Sequence, residues 1–69
     1  MKYSLLIQRY GRYMTFDSVE ELRDEVRSYF TKKEQASGIV ERLTTFNRFT
    51  NGMAENKYQN MTVSAFGDF

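Results

Sequence analysis

A hairpin pattern at the start of the chain constrains the fold more than any other feature. Residues 3–16 are rich in aromatic and aliphatic side chains, which favour strands, and Gly11-Arg12 lies near the centre of this segment. Glycine in the first position of a two-residue turn is typical of a type II′ hairpin. Such a turn predicts the cross-strand pairs Tyr10–Tyr13, Gln8–Thr15 and Ile7–Phe16.

Alternation along the two strands separates a core face from an outward face. The core face is predicted to carry Tyr3, Leu5, Ile7, Met14 and Phe16. The outward face is predicted to carry Ser4, Leu6, Gln8, Tyr10, Tyr13 and Thr15. Because a slip of one residue would exchange the two sets, this assignment depends on the turn.

Two helix starts follow the hairpin. Ser18 with Glu21 and Thr31 with Glu34 both fit the capping box S/T-x-x-E, and Asp17 with Glu20 offers the same geometry one residue before the first of them. Apolar residues then recur at helical spacing. They are Val19, Leu22, Val26, Tyr29 and Phe30 in the first helix, and Ala36, Ile39, Val40, Leu43, Phe46 and Phe49 in the second. Gly38 predicts a break in the second helix.

The end of the second helix leaves two interpretations open. Asn51-Gly52 predicts its C-terminal cap, but the same dipeptide is also a strong hairpin signal. Residues 44–50 are β-prone, and a strand there would give the order ββαββ. Residues 53–57 have the composition of a poor partner strand, which favours the helix.

Residues 61–66 predict a last strand beside the first or second, with Met61, Val63 and Ala65 inward and Thr62 and Ser64 outward. The expected fold is one α+β domain over residues 1–69. Its predicted order is ββααβ, with both helices on one face of an antiparallel sheet.

Composition excludes several classes of function. The 69 residues include no Cys and no His, which rules out disulfides and thiolate sites and removes the commonest general base and metal ligand. We therefore expect no catalytic residues, no metal and no cofactor. A net charge of +1 disfavours a strong polyanion binder. No stretch approaches the ~20 apolar residues of a membrane span, and the expected location is cytoplasmic.

The hairpin supplies the candidate contact surface. We expect a protein partner to bind Leu6, Arg9, Tyr10, Arg12 and Tyr13. Tyr and Arg are enriched at interface hot spots. The alternatives are a purely structural cross-strand Tyr pair, and a single-stranded nucleic-acid binder that stacks bases on the same face. A homodimer also remains open.

Residues 12–22 read RYMTFDSVEEL, a short strand that enters a capped acidic helix. This segment resembles a pattern common in small phage and mobile-element proteins, among them anti-CRISPR and host-takeover inhibitors. The resemblance implies a small inhibitor, acting in the host cytoplasm on a defence (CRISPR-Cas) or nucleic-acid-processing complex. It implies no particular functional residues.

Overall fold

The chain folds as an antiparallel sheet with helices packed against it, and a computed structural model describes residues 2–48 and 52–67. Within those residues the elements are β1 (Lys2–Ile7), a 3₁₀ turn (Gln8–Tyr10), β2 (Arg12–Phe16), α1 (Val19–Arg27), α2 (Lys32–Ala36), α3 (Ile39–Leu43), β3 (Met53–Tyr58) and β4 (Met61–Phe66). The strand order is β2-β1-β4-β3. The predicted α+β class is confirmed, as is a last strand beside the first.

The loop of the first hairpin is longer than predicted. Ile7 pairs with Arg12 and Leu6 pairs with Tyr13, so the predicted pairs Tyr10–Tyr13, Gln8–Thr15 and Ile7–Phe16 are wrong. The chain turns through residues 8–11, and Gly11 closes the turn at φ 58° and ψ 35°. These are left-handed helical angles, whereas the first residue of a type II′ turn needs an extended ψ.

The predicted separation of faces nevertheless survives. On β2, the predicted partner of Ile7 (Phe16) and its actual partner (Arg12) are four residues apart. An even difference leaves every strand residue on its predicted face, because side chains alternate with a period of two. Leu5 and Ile7 are accordingly buried in the core.

The helices begin where the capping signals predict. The Ser18 hydroxyl accepts a hydrogen bond from the Glu21 amide at 3.3 Å, and both bonds of the capping box are present between Thr31 and Glu34. The break predicted at Gly38 is confirmed, since this residue (φ 82°) separates α2 from α3. A left-handed glycine is the usual way to end one helix before another begins.

The second helical segment ends at Leu43, earlier than predicted. The Asn56 amide donates to the backbone carbonyls of Leu43 at 3.0 Å and Thr45 at 2.9 Å. The Arg23 guanidinium donates to the backbone carbonyl of Thr44 at 3.3 Å and to its hydroxyl at 2.7 Å. These side chains satisfy the last carbonyls of the helix, so the chain can leave it without a glycine cap. Residues 45–48 form neither helix nor strand, and Asn51 of the predicted cap lies outside the described residues.

A fourth strand in the described part of the chain was missed by the sequence prediction. β3 pairs with β4 through a two-residue turn at Gln59-Asn60. Gln59 has φ 52°, a conformation that glycine normally supplies, so the turn left no glycine signal. As an edge strand, β3 also tolerates the polar residues that made it look like a poor strand.

The helices cover one face of the sheet. The buried hydrophobic cluster joins β1 and β4 to the three helices, and its members are Leu5, Ile7, Leu22, Val26, Ile39, Val40, Leu43, Met61 and Val63. The face away from the helices carries Leu6, Tyr13, Thr62 and Ser64, and we call it the open face. Tyr13 is exposed there, whereas Thr62 and Ser64 are buried. No described helix has the length and apolar character needed to cross a membrane.

Candidate functional site

The structure divides the predicted contact cluster between two surfaces. Leu6 and Tyr13 are directly paired on the open face. Arg9 and Tyr10 belong to the loop, and Arg12 shares the helix-covered side of the sheet with Ile7. The expectation that Tyr10 and Tyr13 share one face is therefore wrong, because the longer loop takes Tyr10 out of the strand. Both rings are equally accessible, with Tyr10 61% and Tyr13 60% exposed.

Two turns meet at one end of the sheet. The backbone amide of Gln8 donates to the Asn60 carbonyl at 3.0 Å. The Arg9 guanidinium donates through Nη2 to Gln59 Oε1 at 2.9 Å, and its central carbon lies 5.9 Å from the centre of the Tyr10 ring. The hairpin loop is therefore fixed to the β3–β4 turn, and Arg9 is held over an aromatic face.

A cleft of about 300 Å³ opens beside these turns. Two aromatic pairs line it. The rings of Tyr10 and Tyr29 are stacked with centroids 6.2 Å apart, and those of Phe30 and Tyr58 are tilted with centroids 5.6 Å apart. The other lining residues are Ile7, Arg9, Ser28, Glu34, Gln59, Asn60 and Met61. We call this the turn-end cleft; its volume lies at the lower end of the range of ligand pockets.

Tyr29 is tied to the end of α1. Its hydroxyl donates to Glu25 Oε1 at 3.2 Å. Partial burial, followed by the neighbouring Glu25 carboxylate, raises the pKa of the Tyr29 phenol, while the Arg12 guanidinium acts in the opposite direction. The phenol therefore stays protonated at neutral pH and continues to donate.

The two arginines of the hairpin, Arg9 and Arg12, have no carboxylate partner among the described residues. Among the described residues, ion pairs join Arg27 to Asp24 and Glu41, and Lys57 to Glu55. Neither Arg9 nor Arg12 belongs to them. Glu34 lines the cleft but pairs with neither arginine. Its carboxylate accepts a hydrogen bond from the backbone amide of Thr31 at 3.0 Å.

The turn-end cleft combines aromatic rings with a guanidinium. Aromatic faces offer contact area, and the Arg9 guanidinium offers directed hydrogen-bond donors. The described residues contain no group of three or more acidic side chains able to hold a metal ion.

Of the eleven cleft residues, sequence reasoning identified only Arg9 and Tyr10 as contact residues. Tyr29 and Phe30 were assigned to the core stripe of the first helix, and no role was assigned to Tyr58 or Gln59. One signal was present for the first two. Both immediately precede the capping residue Thr31, so they occupy a connection between helices, where side chains reach the surface.

No family model, no curated protein and no solved structure matches this chain. Function is therefore inferred from the cleft and from the charges and rings around it.

Proposed function

We propose that this chain is a non-enzymatic protein-binding module that holds its partner at the turn-end cleft. One observation carries the proposal: the Tyr10 ring is 61% exposed and has two ordered neighbours, the Tyr29 ring at 6.2 Å between centroids and the Arg9 guanidinium carbon at 5.9 Å. An aromatic ring has few rotatable bonds and therefore loses little conformational entropy when a partner covers it. Tyr and Arg are also the residue types that dominate interface energetics.

The first partner class to test is a host defence complex. The resemblance of residues 12–22 to small phage proteins supports an inhibitor of a CRISPR-Cas or nucleic-acid-processing complex in the host cytoplasm. Genomic neighbours of the coding sequence are a cheap discriminator. Phage structural genes or a defence regulator would support the inhibitor, whereas replication genes would favour nucleic-acid work.

The chain offers a matched pair of variants to test the contact surface. Tyr10 and Tyr13 are the same residue type and almost equally exposed, but they lie on different surfaces. We expect Tyr10→Ala to weaken capture of the partner in a pull-down, with Kd rising about tenfold or more, a loss of at least ~1.4 kcal/mol. Tyr13→Ala should change Kd less than about twofold.

The reverse result would assign the interface to the open face, and full capture by both variants would remove the proposal. Circular dichroism of each variant checks that the fold is kept. Sedimentation of the chain alone separates partner binding from self-association.

Single-stranded nucleic-acid binding through the open face is the second candidate. The exposed rings of Tyr13 and Phe66 (43% exposed) favour it. Strand register weakens it. Tyr13 pairs with Leu6, whereas Phe66 pairs with Lys2 on the other side of β1. These positions are roughly 16 Å apart by strand geometry, too far for neighbouring stacked bases.

A salt titration decides between the two candidates. A nucleic-acid binder shows affinity for a labelled oligonucleotide that falls steeply as salt rises. Fluorescence anisotropy that detects no binding at low salt would exclude this function.

A further inference from the structure

We propose that the turn-end cleft recognises an acidic side chain of the partner protein that is flanked by an aromatic or aliphatic residue, with Arg9 receiving the carboxylate. This inference rests on the proposed function, because it names the chemistry of the partner at the same site. It follows from three features of the described residues. They are an oriented guanidinium, a strained turn residue that orients it, and the hydrogen-bond donors of the guanidinium that remain unused.

The Arg9 guanidinium is oriented but not neutralised. A guanidinium has five N–H donors in a rigid plane, and in the described structure the side chain of Arg9 makes one hydrogen bond, to Gln59. Its central carbon also lies 5.9 Å from the centre of the Tyr10 ring, within cation–π range. Because its geometry is set in advance, a carboxylate can be bound through two parallel hydrogen bonds at little entropic cost.

The residue that orients Arg9 is itself strained. Gln59 has φ 52°, where a side chain costs roughly 1–2 kcal/mol relative to the ordinary helical region. Glycine would remove that strain but would also remove the side-chain amide oxygen, Oε1, that accepts a hydrogen bond from Arg9. A strained residue whose side chain holds a cation at the mouth of a cleft is typical of a functional position.

The free hydrogen-bond donors of Arg9 favour an anion, although Glu34 and Glu25 keep their negative charge. Glu34 and Glu25 both accept hydrogen bonds from within the protein, from the Thr31 amide and the Tyr29 hydroxyl. Arg9 keeps free donors, and Arg12 adds a second positive charge close enough to influence the Tyr29 phenol. A ligand cation would meet the Arg9 guanidinium, whereas a carboxylate would pair with it. The aromatic walls then accept the neighbouring apolar group.

Three small probes test this chemistry without the partner. N-acetyl-phenylalanine carries a carboxylate beside an aromatic ring, N-acetyl-phenylalaninamide lacks the charge, and phenethylamine carries the opposite charge. Each is titrated into the ¹⁵N-labelled chain by NMR. We expect the acid to shift the amide signals of Arg9, Gln59 and Asn60, and to bind at least about fivefold more tightly than the amide.

Two variants assign the preference to the oriented guanidinium. Arg9→Gln should reduce the acid to the affinity of the amide while the amide is unaffected. Gln59→Gly should keep the hairpin, since it relieves the positive φ, and should still weaken the acid severalfold because Arg9 is released. Arg42→Gln, at an exposed position on α3, is the charge-matched control and should change neither affinity.

Three results would overturn the inference: phenethylamine binding as tightly as the acid, an acid preference that persists in Arg9→Gln, or no shifts at the cleft. Each can occur while Tyr10→Ala still weakens capture of the partner, in which case the proposed function stands. Conversely, acid binding at the cleft combined with full capture by Tyr10→Ala removes the proposed function and leaves the anion site.

Discussion

The phenol of Tyr29 makes the stability of the fold depend on pH in the alkaline range. Burial and the Glu25 carboxylate raise its pKa above the ordinary value of about 10. The folded chain therefore holds this proton more tightly than the unfolded chain. Its contribution to stability is complete below about pH 10 and is lost as the pH rises through the folded-state pKa.

We expect Tyr29→Phe to remove part of this pH dependence. In urea denaturation, the wild-type free energy of unfolding should fall as the pH rises above about 10, and the variant should fall less steeply. Its ultraviolet titration should also lose a component above pH 10. Tyr58→Phe is the control, because the Tyr58 hydroxyl makes no hydrogen bond to the described residues and is not among the groups that shift the Tyr29 pKa. An unchanged alkaline slope in Tyr29→Phe would contradict the assignment.

At the scale of single residues, the sequence indicated which residue types form the contact surface but not which residues lie beside them in the fold. Arg9 and Tyr10 were identified as contact residues because of their chemistry. Their relations to Gln59 and Tyr29 were not visible, since those contacts join positions far apart in the chain. The loop conformation that brings them together depends on Gly11 adopting left-handed angles with a helical ψ, and the sequence does not distinguish these from a type II′ turn.

Some ends of helices and strands are set by local hydrogen bonds, and others are set by tertiary contacts. The starts of α1 and α2 were predictable because each depends on a hydrogen bond between residues three apart. The end of α3 was not, because its carbonyls are satisfied from α1 and β3 by Arg23 and Asn56. β3 escaped prediction for a related reason, since its turn uses a strained Gln59 rather than glycine.

The end of α3 yields a stability test. Asn56→Ala removes the donor to the Leu43 and Thr45 carbonyls, and we expect a loss of about 1–2 kcal/mol in the free energy of unfolding. Asn47→Ala, at an exposed position in the adjoining connection, should cost less than about 0.5 kcal/mol. Urea denaturation measures both. Equal losses would show that Asn56 does not terminate the helix.

For the molecule as a whole, the adjacent residues Leu5 and Leu6 allow the burial of the two faces of the sheet to be compared. Leu5 is fully buried under the helices, whereas Leu6 is half-buried on the open face. Leu5→Ala should cost about 2–5 kcal/mol, against a total of roughly 3–10 kcal/mol for a chain of this length. Leu6→Ala should cost about 1 kcal/mol. Thermal unfolding should separate the two variants clearly, and similar melting temperatures would mean that a second layer covers the open face.

The central position of β1 has a consequence for how the chain reaches its fold. β1 is hydrogen-bonded on one side to β2 and on the other to β4, with Lys2 opposite Phe66. The hairpin of β1 and β2 can form early, but an isolated hairpin is marginal in water, and its apolar face has no cover until the later elements arrive. The middle of the sheet closes only after residues 61–66 have been synthesised. Contacts of such long sequence separation slow folding, so we expect this small chain to fold late and as one cooperative event rather than progressively during translation.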